Sequence, residues 1–139
     1  MIVPVLKELV ITGDPNLYGE LELSSTRDIG DDFRLAGTAC IGSRDSLGAD
    51  FFDFTVITPK RLMKELEGRP VICSRGYVIV RECNLERIRD CINEILKDCH
   101  RPTWEEVGWA INRYLHWEYG VVIKYETLDE MKARIEGNE

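Results

Sequence analysis

No stretch of this chain stays apolar for the roughly 18 residues that a bilayer-spanning helix needs, so no membrane crossing is expected. Histidine is scarce, with two in 139 residues, which leaves few candidates for a general base. The five cysteines are odd in number, none forms C-x-x-C, and their spacings match no common zinc pattern. Free, mostly buried thiols are therefore expected. G-x-S-x-G, H-E-x-x-H, G-x-G-x-x-G and the Walker loop are all missing, so neither a cofactor nor a metal is expected. Positive charge is also short: 18 basic against 25 acidic residues leave a net −7. That balance repels nucleic acid and anionic membrane and excludes both as expected partners. It suits a basic protein partner, because complementary fields speed encounter; the plainer use of such charge is solubility. The opening MIVPVLKELV has no basic n-region and carries Lys7 and Glu8, so it reads as a strand and not as a signal peptide. A cytoplasmic location is the expectation.

What is present is ample apolar material, 44% of residues, which is enough for the core of one domain over 1–139. Val3, Val5, Leu9 and Ile11 predict a first strand, ended by Gly13-Asp14-Pro15. Residues 17–23 alternate weakly and suggest a short exposed strand. Residues 24–32 are polar and read as a loop. Phe33, Leu35, Gly37, Ala39 and Ile41 alternate cleanly over 33–41, and residues 42–48 look like a hairpin connection. The next strand covers 51–57, with Phe52, Phe54 and Val56 on one side. Tyr77 to Glu82 predicts a further strand, and 121–125 a last short one.

Helices are announced by their caps. Thr58-Pro59 opens one whose buried stripe should be Leu62, Met63 and Leu66, closed by Gly68 and Pro70. Asn84 caps a second, with Leu85, Ile88, Ile92, Ile95 and Leu96 at helical spacing. Thr103 and Glu106 form a capping box for a third, taken as running over 103–118. Val107, Ile111, Tyr114 and Leu115 should line its inner face, with Trp104 at the margin. Thr127 and Glu130 form a second box before a terminal helix striped by Leu128, Met131 and Ile135. The expected class is α+β: a largely antiparallel sheet of about four to six strands, with three to four helices packed mainly on one side.

Candidate chemistry is thin. Cys99 and His100 are neighbours, so on a helix they point about 100° apart, and no third ligand stands at a useful spacing. A small enzyme using a Cys, His and carboxylate pocket is the catalytic alternative; it needs a base folded in from elsewhere. A regulatory protein-binding module is the other. Asp28, Asp31, Asp32, Asp45, Asp50 and Asp53 crowd one part of the sequence without EF-hand spacing. They read either as a solvated loop or as a docking surface for a basic partner. On the 103–118 helix, Trp109 falls nearly opposite the apolar stripe, beside Glu105, Asn112, Arg113 and His116. An aromatic among polar groups is what an interface anchor looks like; packing under the C-terminal segment is the other reading. The expected partner-binding residues are therefore Glu105, Trp109, Asn112 and His116 on the helix, or Asp28, Asp31, Asp32, Asp45 and Asp50 in the loops. Trp117 and Tyr119 are expected to pin the chain at the helix end. Glu118, poorly placed for the helix dipole, should have a partner of its own.

Four strings carry a resemblance: Ile41-Gly42 at a strand end; G-x-D-x-F-D-F-T-V-x-T-P-K-x-L from Gly48 to Leu62; the aliphatic strand near Tyr77; and R-Y-x-x-W-E from Arg113 to Glu118. In this order they resemble the immunity protein 8 family of bacterial polymorphic toxin systems, over roughly Val5 to Tyr119. The resemblance implies a small cytoplasmic antidote that binds a cognate toxin domain and implies no enzymatic activity. Arg61 departs from the pattern, since family members often carry an aromatic there.

Overall fold

Three strands form an antiparallel meander in the computed structural model, which describes residues 1–13 and 28–120. They are β1 (Pro4–Thr12), β2 (Arg34–Ser43) and β3 (Asp50–Ile57). Every second residue goes to the core, as the period of a strand requires. Leu9 and Ile11 enter from β1, Leu35, Ala39 and Ile41 from β2, and Phe52, Phe54 and Val56 from β3. Pro4 begins an edge strand, where a missing N–H disturbs the sheet least. The register of β1 against β2 shifts between Leu6 and Glu8, a bulge at Lys7.

The far edge of β3 is shared by two short strands. β4 (Tyr77–Ile79) runs parallel along Thr55–Ile57, and β5 (His116–Trp117) runs antiparallel along Phe52 and Asp53. Gly76 sits where they meet. Its φ is +79°, and an added Cβ would lie 2.8 Å from the His116 ring, so a side chain is excluded by both backbone and space. Its carbonyl accepts the Thr55 N–H at 2.8 Å.

Three helices follow from their caps. α1 (Pro59–Gly68), α2 (Leu85–Lys97) and α3 (Trp104–Asn112) begin on Thr58, Asn84 and Thr103, each accepting a backbone N–H three residues on. α2 and α3 bury Leu85, Ile88, Ile92, Leu96, Val107 and Ile111 against one face of the sheet. α1 behaves differently. None of its residues is fully buried, and Met63 is 64% exposed, so the predicted stripe holds only as the half-buried pair Leu62 and Leu66. Arg34, which points away from the core, bonds Glu65 of α1 at 2.7 Å and the Tyr77 hydroxyl at 3.2 Å. Ile57 also faces away from the core cluster yet is fully buried. α1 thus closes one end of the second face and leaves the rest without a helix among the described residues.

The architecture is α+β: a five-stranded, mostly antiparallel sheet with three helices among the described residues. Two further expectations change. The strand over 77–82 shrinks to Tyr77–Ile79 and is parallel, because α1 returns the chain in the direction of β3. The helix over 103–118 stops at Asn112, and Tyr114 is 41% exposed instead of lining its inner face. The strands predicted at 17–23 and 121–125 and the terminal helix lie outside the described residues.

Candidate functional site

Trp117 explains why α3 ends early. The Asn112 Oδ1 accepts the Trp117 N–H at 3.0 Å, and Arg75 donates to the Asn112 carbonyl at 2.7 Å. The chain then turns so that Trp117 enters the sheet opposite Phe52, with rings stacked at 6.2 Å and 8°. Trp109 and Tyr119 meet the Trp117 indole edge-on at 5.6 Å and 5.8 Å. A Cβ on Gly108 would lie 2.6 Å from that indole, so only glycine lets it reach α3. One carboxylate oxygen of Asp50 accepts both the Trp104 Nε1–H at 2.7 Å and the Trp117 Nε1–H at 3.0 Å. Glu118 has the partner its position called for: it exchanges bonds with Phe51, donating its N–H at 3.0 Å and accepting at Oε1 at 3.1 Å.

The four helix residues named from the sequence therefore do not form one face. Glu105 is exposed on α3. Trp109 is half-buried and packed on the core. Asn112 is 7% exposed with its side-chain oxygen bonded inward, so its amide is not offered to a partner. His116 is on β5, exposed, with Nε2 3.2 Å from the Arg75 carbonyl.

The acidic residues also separate. Asp28 accepts the Gly30 N–H at 3.0 Å, and Asp31 pairs with Lys60 at 3.1 Å. Asp32 pairs with Arg61 at 2.9 Å and with Lys64. The Lys64 hydrogen bond, above all, holds the Asp32 carboxyl below its ordinary value, and Arg61 adds to this against some desolvation. Arg61, the residue that departs from the family pattern, thus fastens α1 to the loop before β2. Asp45 and Asp50 lie beyond the other end of β2, a ten-residue strand. That puts roughly 30 Å between the two sets at 3.3 Å per residue. A cluster in sequence is two clusters in space, and Asp50 is committed to two indoles.

The sequence did not single out the sheet face that carries no helix among the described residues. Its residues fall into cross-strand rows fixed by the register. One row runs Glu8, Cys40, Phe51 and, bonded to Phe51, Glu118. The next runs Val10, Thr38, Asp53 and His116, with the Thr38 hydroxyl donating to Asp53 at 2.8 Å. The third runs from Thr12 to Tyr77 and meets the end covered by α1. Phe51 is 51% exposed and Val10 40%, an apolar centre between the carboxylates of Glu8, Asp53 and Glu118. The signal was available: Phe51 breaks the alternation of its own strand by adding an aromatic on the outward parity.

This arrangement offers little chemistry. Desolvation pushes the thiols of Cys40, Cys91 and Cys99 up, and Glu8 and Glu118 push Cys40 further. Reactive cysteines show the opposite shift. Among the described residues no group of three or more His, Cys, Asp or Glu side chains could hold a metal ion. Nor is any described helix long and apolar enough to cross a membrane.

The described residues thus form an α+β domain of an acidic chain, with one sheet face partly open and three thiols pushed up by desolvation. The sequence model of the family described as Immunity protein 8 matches residues 20–121, and the chain belongs to that family. It is thus an immunity protein, whose partner is a toxin protein. No curated protein and no solved structure matches the chain.

Proposed function

We propose that this protein neutralises its cognate toxin by binding it and covering the toxin's active or functional surface, without bond-making of its own. Membership of the immunity protein 8 family over 20–121 carries this reading. The upward shift of three thiols supports it, because a thiol held protonated is a poor nucleophile. The net charge of −7 favours a basic toxin through long-range attraction. Action in the cytoplasm, with the whole chain as one unit, completes the proposal. Of the residues named from the sequence, Asp28, Asp31, Asp45, Glu105 and His116 are exposed. His116 in a row of the open sheet face and Asp45 on the adjoining hairpin stand as candidate contacts, and Glu105 on α3 belongs to the rival surface.

The test is co-expression with the toxin encoded in the neighbouring gene, read as growth and as co-elution of the two proteins. Protection together with a stable complex is the expected result. Growth arrest with no complex overturns the reading. So does a turnover rate in the purified protein that disappears when a cysteine or histidine is replaced.

A further inference from the structure

We propose that the toxin docks on the sheet face that carries no helix among the described residues, as a basic domain that receives Phe51 in an apolar recess and sets cations against Glu8, Asp53 and Glu118. This rests on the reading of the protein as a toxin-binding antidote and names the surface that does the binding.

The arrangement is that of an interface core inside a charged rim. Phe51 stands on β3, the central strand, with 51% of its surface exposed. Its cross-strand neighbour Cys40 is only 8% exposed, so the aromatic ring stands on a floor of packed backbone and thiol. An aromatic anchored in this way is the residue type that dominates binding energy when a partner encloses it. Val10 widens the apolar centre to the neighbouring row.

The charge around that centre has one sign. No Lys or Arg stands in the first two rows of the face. The flanking cations are engaged elsewhere: Lys7 donates to the carbonyls of Ser46 and Gly48, and Arg34 binds Glu65. Glu8 and Glu118 stand at the two ends of one row, with Cys40 and Phe51 between them.

Charge also decides between a toxin and a second copy of this chain. A twofold contact between two such faces would bring Glu8, Asp53 and Glu118 against the same three carboxylates, which costs affinity. A basic domain gains from the same contact. Size fits as well. Three rows of about 7 Å along four strands about 4.8 Å apart give a flat area of roughly 400 Å². That is about half of the ~800 Å² each partner contributes to a standard interface. The 43–50 hairpin, with exposed Asp45, stands at the Glu8–Phe51 end and can supply part of the remainder.

The experiment measures the dissociation constant for the toxin domain of the neighbouring gene, in an inactive form, against four proteins. They are the parent, Phe51→Ala, the double variant Glu8→Gln/Asp53→Asn, and Glu105→Gln on α3 as the rival surface. Thermal melts confirm that each is folded. Phe51→Ala should weaken binding by about thirtyfold or more, the scale of a central anchor. The double variant should slow association about tenfold and flatten its dependence on salt. Glu105→Gln should bind like the parent. If Phe51→Ala fails to fold, the double variant alone decides. A parent that binds while both face variants bind equally well overturns the inference and leaves the antidote reading standing. So does a toxin whose docking surface is acidic, or a parent dimer that Phe51→Ala dissolves. A parent that never binds overturns the antidote reading itself.

Discussion

Removing the Asp50 carboxylate tests how the second half of the chain is fastened to the sheet. Its Oδ2 accepts the indole N–H of Trp104 at 2.7 Å and of Trp117 at 3.0 Å, so one oxygen joins the start of α3 and β5 to β3. A hydrogen bond to a charged acceptor contributes about 1.5–3 kcal/mol, and a buried donor left alone costs about 1–3 kcal/mol. Trp117 is 5% exposed, so its N–H would have little water to turn to. Trp104 and Asp50 are half-buried, so water can replace part of the second bond. The loss for Asp50→Ala should therefore be about 2–4 kcal/mol, well short of two full bonds. Out of a total stability of about 5–15 kcal/mol this is large. At about 3–4 °C per kcal/mol for a chain this long, Tm should fall by roughly 6–16 °C. Asp50→Asn keeps an acceptor oxygen without the charge and should lose about 1 kcal/mol. Urea unfolding followed by tryptophan fluorescence reads both values. Asp50→Ala within about 0.5 kcal/mol of the parent would refute the argument, because the two indoles would then be held by packing alone. Toxin affinity of folded Asp50→Ala should change little, since this carboxylate oxygen is engaged by two tryptophan N–H groups.

Gly108→Ala pits helix propensity against packing. Propensity alone favours alanine by about 1 kcal/mol. The new Cβ would sit 2.6 Å from the Trp117 ring, which Phe52, Trp109 and Asp50 hold in place, so a net loss of about 1–2 kcal/mol is expected in urea unfolding. Asp32 should make stability depend on acid. Its folded carboxyl lies below the ordinary 3.8, so its contribution is present above that value and is lost as pH falls through the lower folded value. Tm measured from pH 6 downward should drop less steeply below about pH 4 in Asp32→Asn than in the parent.

Strands β1 to β3 and the three helix starts were legible from residue order, because each depends on neighbours along the chain. Alternation at 33–41 sends Leu35, Ala39 and Ile41 to the core whatever surrounds them. Thr58, Asn84 and Thr103 cap because the amide each satisfies is only three residues away. The family strings were legible too, and their physical reasons now appear: Asp50, Phe52 and Trp117 are parts of one packed knot. Where α3 stops was not legible. Residues 103–118 look helical on a wheel, but Trp117 gains a stacked ring, two edge contacts and a buried N–H bond only by leaving the helix. Of those partners Trp109, Phe52 and Asp50 are 8 to 67 residues away, and no local pattern contains them.

The candidate site divides along the same line. The chain's own order determined its acidity and its kinship with antidotes, since these are properties of composition and of short strings. Only the tertiary structure decided which acids stand together. A ten-residue strand carries Asp31 and Asp32 away from Asp45 and Asp50, and α1 neutralises the first pair. Strand register brings Glu8, Phe51, Asp53 and Glu118, spread over more than a hundred residues, onto one open face. Pairing between strands is set by packing of the opposite face, where Leu9, Ala39, Phe52 and Trp117 must meet, and the outward rows follow from it.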